Sequence, residues 1–191
     1  MVSVRRLLLS VSLSFSFSLG LAGCSASSKK PAAVEQTFPP YSGEATRLFD
    51  DGIDPIAVGL ADVASKPRTD PVLRARTQRA EAVGRLRVST VTAESIGGKP
   101  TYRVNLVFLE AAALRSTLPT KSVEIYVRPN SPSFGIIKFL DTRLIGRTFI
   151  GFFHRFDGGD ETSLKFHLSA DDEDVRAAVR DAIALREVSS K

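Results

Sequence analysis

The sequence has few of the residues that build common catalytic and metal sites: one cysteine, two histidines and no tryptophan among 191 residues. A single cysteine excludes an internal disulfide, so the domain must fold by packing alone. The chain contains no Gly-x-Ser-x-Gly, no His-Glu-x-x-His, no Gly-rich phosphate loop and no paired-carboxylate strand. The sequence therefore predicts no cofactor, no metal ion and a protein that is not an enzyme.

Neither basic nor acidic residues are in large excess over the other. The whole chain carries 26 Lys and Arg against 21 Asp and Glu, a net charge of +5. Without the first 23 residues, Arg5 and Arg6 are lost, 24 basic residues remain and the net charge falls to +3. A chain with this balance is not expected to bind nucleic acid. The remaining 168 residues suffice for one domain with a hydrophobic core.

The longest apolar run is at the start of the chain. Arg5 and Arg6 precede an apolar stretch over 7–21, a pattern that is typical of a secretory signal peptide. The stretch is shorter than the roughly 20 residues that a membrane-spanning helix needs. It ends in Leu21-Ala22-Gly23-Cys24, which contains the chain's one cysteine.

These four residues resemble the lipobox of bacterial lipoproteins. The resemblance implies cleavage between Gly23 and Cys24, a diacylglyceryl group on the Cys24 sulfur and an acyl chain on the new amino terminus. Two or three such chains anchor a protein stably, whereas one chain holds it marginally. Ser25 follows the cysteine, and the absence of Asp there resembles lipoproteins sent to an outer membrane. The alternatives are an ordinary signal peptide with a chance cysteine, and twin-arginine export on Arg5-Arg6.

The leader divides the chain into three parts: a signal peptide over 1–23, the lipidated cysteine with a linker over 24–40, and a single domain over 41–191. The linker is rich in Ser, Lys, Ala and Pro, a composition typical of a flexible tether. We expect the anchor in the outer membrane, facing the periplasm, if the source has two membranes. In a cell with one membrane the anchor is expected on its outer face.

Between 42 and 83 the sequence predicts two or three short helices. Asp54-Pro55 and Asp70-Pro71 each place a capping aspartate before a proline at the first helical position, where a missing N–H costs nothing. Gly52 is predicted to end an earlier helix, over about 44–51, as a left-handed residue. The turns also explain the nearby acidic cluster, which lacks the spacing of a calcium-binding loop: Asp50, Asp51 and Asp54.

Six arginines lie between 68 and 87 against two acidic residues, the strongest charge asymmetry in the domain. Arginine binds phosphate and carboxylate in bidentate geometry, so this stretch is a candidate binding site for an anion or a partner. The candidates within it are Arg74, Arg76 and Arg79. The alternative is a solvated helix face followed by a strand edge that charge protects from pairing.

From about residue 83 the pattern alternates with the period of two that is typical of strands. Segments 85–92 and 101–109 flank Gly97-Gly98, which predicts a hairpin. The register of their apolar residues requires a bulge or a longer loop. Further strands are predicted over 122–128 and 135–140.

A second hairpin, predicted over 147–156 and 162–168, contains both histidines. With Gly158-Gly159 at the centre of its loop, His154 and His167 share a sheet face but lie about 13 Å apart, at about 3.3 Å per residue. Zinc ligands lie about 2 Å from one ion, so the two histidines are not expected to bind a metal together.

The last predicted element is a helix over 170–186, with Ser169 as its N-cap and an acidic first turn that suits the helix dipole. The predicted fold is α+β: short N-terminal helices, one antiparallel sheet of five or six strands, and a C-terminal helix packed on it, with the helices on one face. The alternative is a curved sheet or half-barrel that wraps the terminal helix.

Three functions are compatible with these features. The first is a membrane-anchored envelope lipoprotein that acts as a non-catalytic binding or assembly subunit for an envelope protein or polymer. The second is a periplasmic carrier or sensor of an apolar or anionic ligand. The third is a hydrolase whose dispersed active site draws on the following residues: Asp50, Asp51, His154 and His167.

Overall fold

A computed structural model describes residues 37–62, 66–112, 121–158 and 162–189 of the chain. The predicted signal peptide, the lipidation site Cys24 and the linker up to residue 36 lie outside the described residues. Within the described residues, no helix is both long enough and apolar enough to cross a membrane.

Six strands and four α-helices are formed by the described residues. In chain order they are α1 (Glu44–Leu48), β1 (Gly52–Ile53), α2 (Pro71–Arg79), β2 (Ala82–Ile96), β3 (Lys99–Ala112), β4 (Ser122–Val127), α3 (Ser133–Leu140), β5 (Thr148–Asp157), β6 (Thr162–Ala170) and α4 (Glu173–Ser189). Short 3₁₀ helices cover Pro55–Val58, Pro67–Thr69 and Asp141–Leu144.

The six strands form one sheet in the order β1-β6-β5-β2-β3-β4. All neighbours are antiparallel except β1, which runs parallel to β6 with Gly52 opposite His167. The predicted α+β class is confirmed. The sheet is mixed rather than purely antiparallel, because a strand of two residues from the N-terminal region adds to its edge.

The predicted hairpin at Gly97-Gly98 is present, and its loop has two residues because Ile96 pairs with Lys99. Gly97 and Gly98 both have positive φ, 58° and 75°, which only glycine adopts readily and which suits the twist of a tight hairpin. The predicted bulge is also present, as register shifts after Arg85 and after Val88. These shifts bring Leu86 and other apolar residues of β2 onto the same buried face as the apolar residues of β3.

The sheet separates two hydrophobic cores. One core contains the inward residues of β2, β3 and β4 and is covered by α3 and the 3₁₀ helix that follows it. The other contains Ile150, Phe152 and Phe156 of β5 and is covered by α1, α2 and α4. The expectation that the helices share one face is therefore wrong: α3 lies on the face opposite α4.

The strand predicted over 135–140 is the helix α3. Its buried side chains, Ser133, Ile137 and Leu140, recur at helical spacing of four and three residues. The apolar run is short, and periodicity alone does not separate a buried strand from one face of a short helix.

Both predicted aspartate caps are confirmed. The Asp54 side chain accepts the Ile56 N–H at 3.0 Å, and the Asp70 side chain accepts the Val72 N–H at 2.8 Å. The prediction for Gly52 is wrong, because Gly52 lies in β1.

The start of the closing helix is later than predicted. Ser169 lies in β6, opposite Ile150, and does not cap the helix. Asp172 takes that role: its carboxylate accepts the Val175 N–H at 2.8 Å. The helix α4 then begins at Glu173, and its buried residues pack on the second core.

Candidate functional site

The turn after α1 brings two neighbouring carboxylates to strand β6. Asp51 adopts a left-handed conformation, φ 54°, and its N–H donates to the Phe166 carbonyl at 2.9 Å. The chain then enters β1 alongside β6. The Asp50 carboxylate contacts His167, and the Asp51 carboxylate contacts Lys165, two positions away on the same face of β6.

The Asp50–His167 pair is a hydrogen bond between partly buried side chains. Asp50 Oδ1 lies 2.8 Å from His167 Nδ1 and also accepts the Gly52 N–H at 3.0 Å. Burial lowers the pKa of His167, so the ring is neutral at pH 7 and its Nδ1–H donates. Burial raises the pKa of Asp50, but the His167 hydrogen bond and the nearby Arg76 charge outweigh it and hold that pKa below its usual value.

The Asp51–Lys165 ion pair links three parts of the chain. Lys165 Nζ lies 2.6 Å from Asp51 Oδ2 and 4.8 Å from the centre of the Tyr41 ring. The Ser133 hydroxyl at the start of α3 donates to the Asp51 carbonyl at 2.5 Å. Burial, with the negative charges of the two aspartates, raises the pKa of Tyr41 to about 12. The cluster therefore holds the N-terminal segment, β6 and α3 together.

The two histidines share a sheet face, as predicted, but with a different spacing. The second hairpin pairs Asp157 with Thr162, so its loop is longer than two residues, and His154 lies opposite Lys165. His167 is two positions further along, about 7 Å at 3.3 Å per residue, rather than the predicted 13 Å. His154 packs between the Phe49 and Phe156 rings, with Nδ1 3.6 Å from Glu81 Oε1.

The two imidazoles therefore contact different carboxylates, His154 that of Glu81 and His167 that of Asp50. Among the described residues, no three His, Cys, Asp or Glu side chains are placed to hold a metal ion. Of the four hydrolase residues, His154 and Asp51 line two different clefts, which are described below, whereas Asp50 bonds to His167. The hydrolase hypothesis stays a prediction.

The three candidate arginines of α2 do not form one surface. Arg76 is only 7% exposed, and its Nε donates to the Leu48 carbonyl at 2.6 Å. Its guanidinium lies 5.8 Å from the centre of the Phe152 ring, and burial lowers its pKa. Arg74 and Arg79 are exposed, and Arg79 forms an ion pair with Glu44 at 2.6 Å. Arg76 is a structural residue, whereas binding by Arg74 and Arg79 stays a prediction.

One cleft, the arginine cleft, encloses about 400 Å³ between the N-terminal segment, α1, α2, β5 and α4. Its floor includes the Phe49 and Phe156 rings, and its rim includes Arg79 and Arg186. Its full lining is Pro39, Pro40, Ser42, Glu44, Ala45, Phe49, Gln78, Arg79, His154, Phe156 and Arg186. The combination of an apolar floor with basic side chains suits an anion that carries an apolar group.

The other cleft, the edge cleft, also encloses about 400 Å³ and lies between β4 and β6. These strands are separated by three others in the sheet order, so the sheet curls far enough for both to line one cleft. Its lining is Asp51, Glu124, Ile125, Tyr126, Arg128, Asn130, Ser131, Ser163, Leu164 and Lys165. Both strands run in the same direction, because four antiparallel pairings separate them.

Strand β4 offers an open backbone edge to this cleft. In the described sheet β4 pairs only with β3. The Phe108 N–H donates to the Lys121 carbonyl just before β4, which makes Phe108 and Lys121 a hydrogen-bonded pair in the same register. Hydrogen-bonded and non-hydrogen-bonded pairs alternate along an antiparallel ladder. The backbone groups of Glu124 and Tyr126 therefore point away from β3, toward the open side.

The sequence predicted strand β4 but not its place at the edge, because strand order depends on pairings between distant segments. Its signal was the alternation over 122–128, which separates buried from exposed side chains without showing which backbone groups remain open. Comparisons of the chain with known protein families, with curated proteins and with solved structures gave no match.

Proposed function

We propose that the protein is a lipid-anchored envelope protein whose domain binds a partner protein by adding an extended segment of that partner to the edge of β4. The anchor is the lipidated Cys24 that the lipobox resemblance implies, in the outer membrane facing the periplasm where the cell has two membranes. The domain is a binding or assembly subunit and has no catalytic role.

The observation that carries this proposal is the open edge of β4 beside a cleft. An extended peptide gains affinity from main-chain hydrogen bonds with an exposed edge, and specificity from pockets that receive alternate side chains. The outward backbone groups of Glu124 and Tyr126 supply the hydrogen bonds. The edge cleft supplies the pocket, and its lining includes two cations, Arg128 and Lys165, and two carboxylates, Asp51 and Glu124.

The added strand runs antiparallel to β4. Because β6 runs in the same direction as β4, such a strand is also antiparallel to β6 across the cleft. Strand β1 pairs with β6 only at His167 and Leu168, so β6 from Ser163 to Lys165 has no strand partner on that side in the described sheet.

The test is site-specific crosslinking in the source cells. A photoreactive phenylalanine analogue replaces Tyr126, which is 44% exposed on β4, or Leu185, which is 51% exposed on α4 and serves as the matched control. We expect a reproducible crosslinked protein from position 126 and none from position 185. The same product from both positions, or a product of two copies of this chain, would contradict the proposal.

Two substitutions then separate backbone pairing from side-chain contact. Tyr126→Pro removes an outward N–H that the sheet does not use, and proline is tolerated at such edge positions. Tyr126→Ala removes the side chain and keeps the N–H. We expect the proline variant to lose the partner in a pull-down and the alanine variant to retain it. Equal recovery by both variants would overturn strand addition.

A carrier of an anionic amphiphile is the second candidate, and the arginine cleft supports it. Arg79 and Arg186 line this cleft together with the Phe49 and Phe156 rings, a combination that suits a carboxylate or phosphate attached to an apolar chain. The protein purified from its source should then carry a bound lipid-like mass in native mass spectrometry. Arg79→Met should release that mass, and Arg74→Met, an exposed arginine of the same helix, should not.

A further inference from the structure

We infer that the domain has a second contact with the membrane, through an exposed basic and apolar patch formed by α3 and the 3₁₀ helix after it. The patch is defined by Lys138, Phe139, Arg143, Ile145 and Arg147. Its binding partner is the anionic headgroup region of a lipid bilayer. This inference rests on the proposed function in one respect: a lipid anchor keeps the domain close to a membrane.

Large apolar side chains are exposed in this patch. Phe139 is 61% exposed and Ile145 is 46% exposed, although Leu140 and Leu144 beside them are buried in the core. Aromatic and aliphatic side chains next to cations are the pattern with which amphipathic segments bind the boundary between headgroups and acyl chains.

Three basic residues, Lys138, Arg143 and Arg147, lie in the same segment as these apolar side chains. The Arg143 guanidinium lies 5.0 Å from the centre of the Phe139 ring and bonds to the Phe139 and Leu140 carbonyls. Arg147 donates to the carbonyls of Arg143 and Val58 at 3.3 Å each. These bonds use part of each guanidinium and fix its position, while both side chains remain exposed.

The charge of the patch complements an anionic surface. The segment 138–147 contains three basic residues, Lys138, Arg143 and Arg147, and one acidic residue, Asp141. Its net charge is therefore +2. Each Lys or Arg near an anionic bilayer strengthens binding about fivefold, and the effect falls off within a Debye length. None of the patch residues lines the arginine cleft or the edge cleft, and binding to a flat anionic bilayer needs no recess.

The test measures vesicle binding without the anchor. Residues 24–191 carrying Cys24→Ser are sedimented with vesicles of equal parts phosphatidylglycerol and phosphatidylcholine, and with pure phosphatidylcholine. We expect binding to the anionic vesicles, little to the neutral ones, and loss of binding in 0.5 M NaCl. Equal binding to both vesicle types, or none to either, would overturn the inference.

The double variant Lys138→Glu, Phe139→Ser should bind anionic vesicles at least about tenfold more weakly. Leu185→Ser, which removes an apolar side chain of 51% exposure from α4, should bind as the parent does. A double variant that binds like the parent also overturns the inference. Tyr126→Pro should keep vesicle binding, so failure of strand addition and failure of this membrane contact give different results.

Discussion

The Asp50 carboxylate and the His167 imidazole lie 2.8 Å apart although 117 positions separate them in the chain. This hydrogen bond joins the turn after α1 to the last strand of the sheet. Burial of the ring lowers the pKa of His167 despite this bond, so we expect the stability of the domain to depend on pH.

Acidification from pH 7.5 to 5.5 should destabilise the protein. The pKa of His167 is lowered in the folded state, so the unfolded chain binds the proton first as the pH falls below about 6.5. The contribution of this ring is therefore full above about pH 6.5 and is lost as the pH falls toward its folded pKa. Urea unfolding at several pH values measures the change in the free energy of unfolding.

The variant His167→Asn provides the control for that measurement, because asparagine keeps an N–H near the Nδ1 position and does not titrate. Its loss of stability between pH 7.5 and 5.5 should be smaller than that of the parent protein. A variant with the same pH dependence as the parent would show that His167 is not the group responsible.

Gly52→Ala should destabilise the protein by about 1–3 kcal/mol. A Cβ at this position would lie 2.6 Å from Asp50 Oδ1, the atom that accepts both the Gly52 N–H and the His167 bond. Gly135→Ala is the matched control: nothing lies within 4 Å of its added Cβ, and Gly135 is in α3, so this change should be neutral or stabilise by about 0.5–1 kcal/mol. Urea midpoints measure both changes.

A double-mutant cycle gives the cause of the Gly52 effect. In the background of Asp50→Ala, which lacks the clashing carboxylate, Gly52→Ala should cost less than half as much. An unchanged cost in that background would mean that the backbone of β1, and not the aspartate, rejects the methyl group.

Arg76→Met should cost about 1–3 kcal/mol of stability, because the Leu48 carbonyl would lose the buried donor that it now bonds at 2.6 Å. Arg74→Met, on the exposed side of the same helix, should change the free energy of unfolding by less than about 0.5 kcal/mol. Urea unfolding distinguishes the two. Similar small effects would mean that the Arg76 side chain does not hold α1.

Cys24→Ala should release the protein from the membrane fraction after a wash in 0.5 M NaCl, which also removes a weak electrostatic contact. The parent protein should remain and should show an intact mass that exceeds residues 24–191 by the attached lipid. A variant that stays in the membrane fraction, or a parent without added mass, would contradict lipid anchoring.

Local patterns in the sequence predicted most of the sheet and the two helix starts at Asp54-Pro55 and Asp70-Pro71. The glycine pair of the first hairpin, the alternation of β4 and the two Asp-Pro starts each depend on neighbours within a few residues, so they can be recognised from the chain alone. Helix α3 was predicted as a strand because its apolar run of six residues fits either period. Strand β1 was not predicted, since two residues carry no pattern and its partner is more than a hundred positions away.

The candidate site was predictable to a smaller extent. The Asp and His residues were named from the sequence, but their pairing follows from the parallel contact of β1 with β6. Arg76 was expected on a binding surface because guanidinium groups are mostly exposed. Its burial depends on the carbonyl of Leu48, at the end of a different helix, which no spacing within α2 indicates.

The edge pairing of β1 with β6 also sets the order in which the chain can fold. Leu48 and Phe49 belong to a core whose other members come largely from β5 and α4, the last parts of the chain to be synthesised. A nascent chain that ends before Thr148 cannot bury them there. Final folding therefore waits until nearly the whole chain has emerged, which suits the proposed export of the chain in an unfolded state.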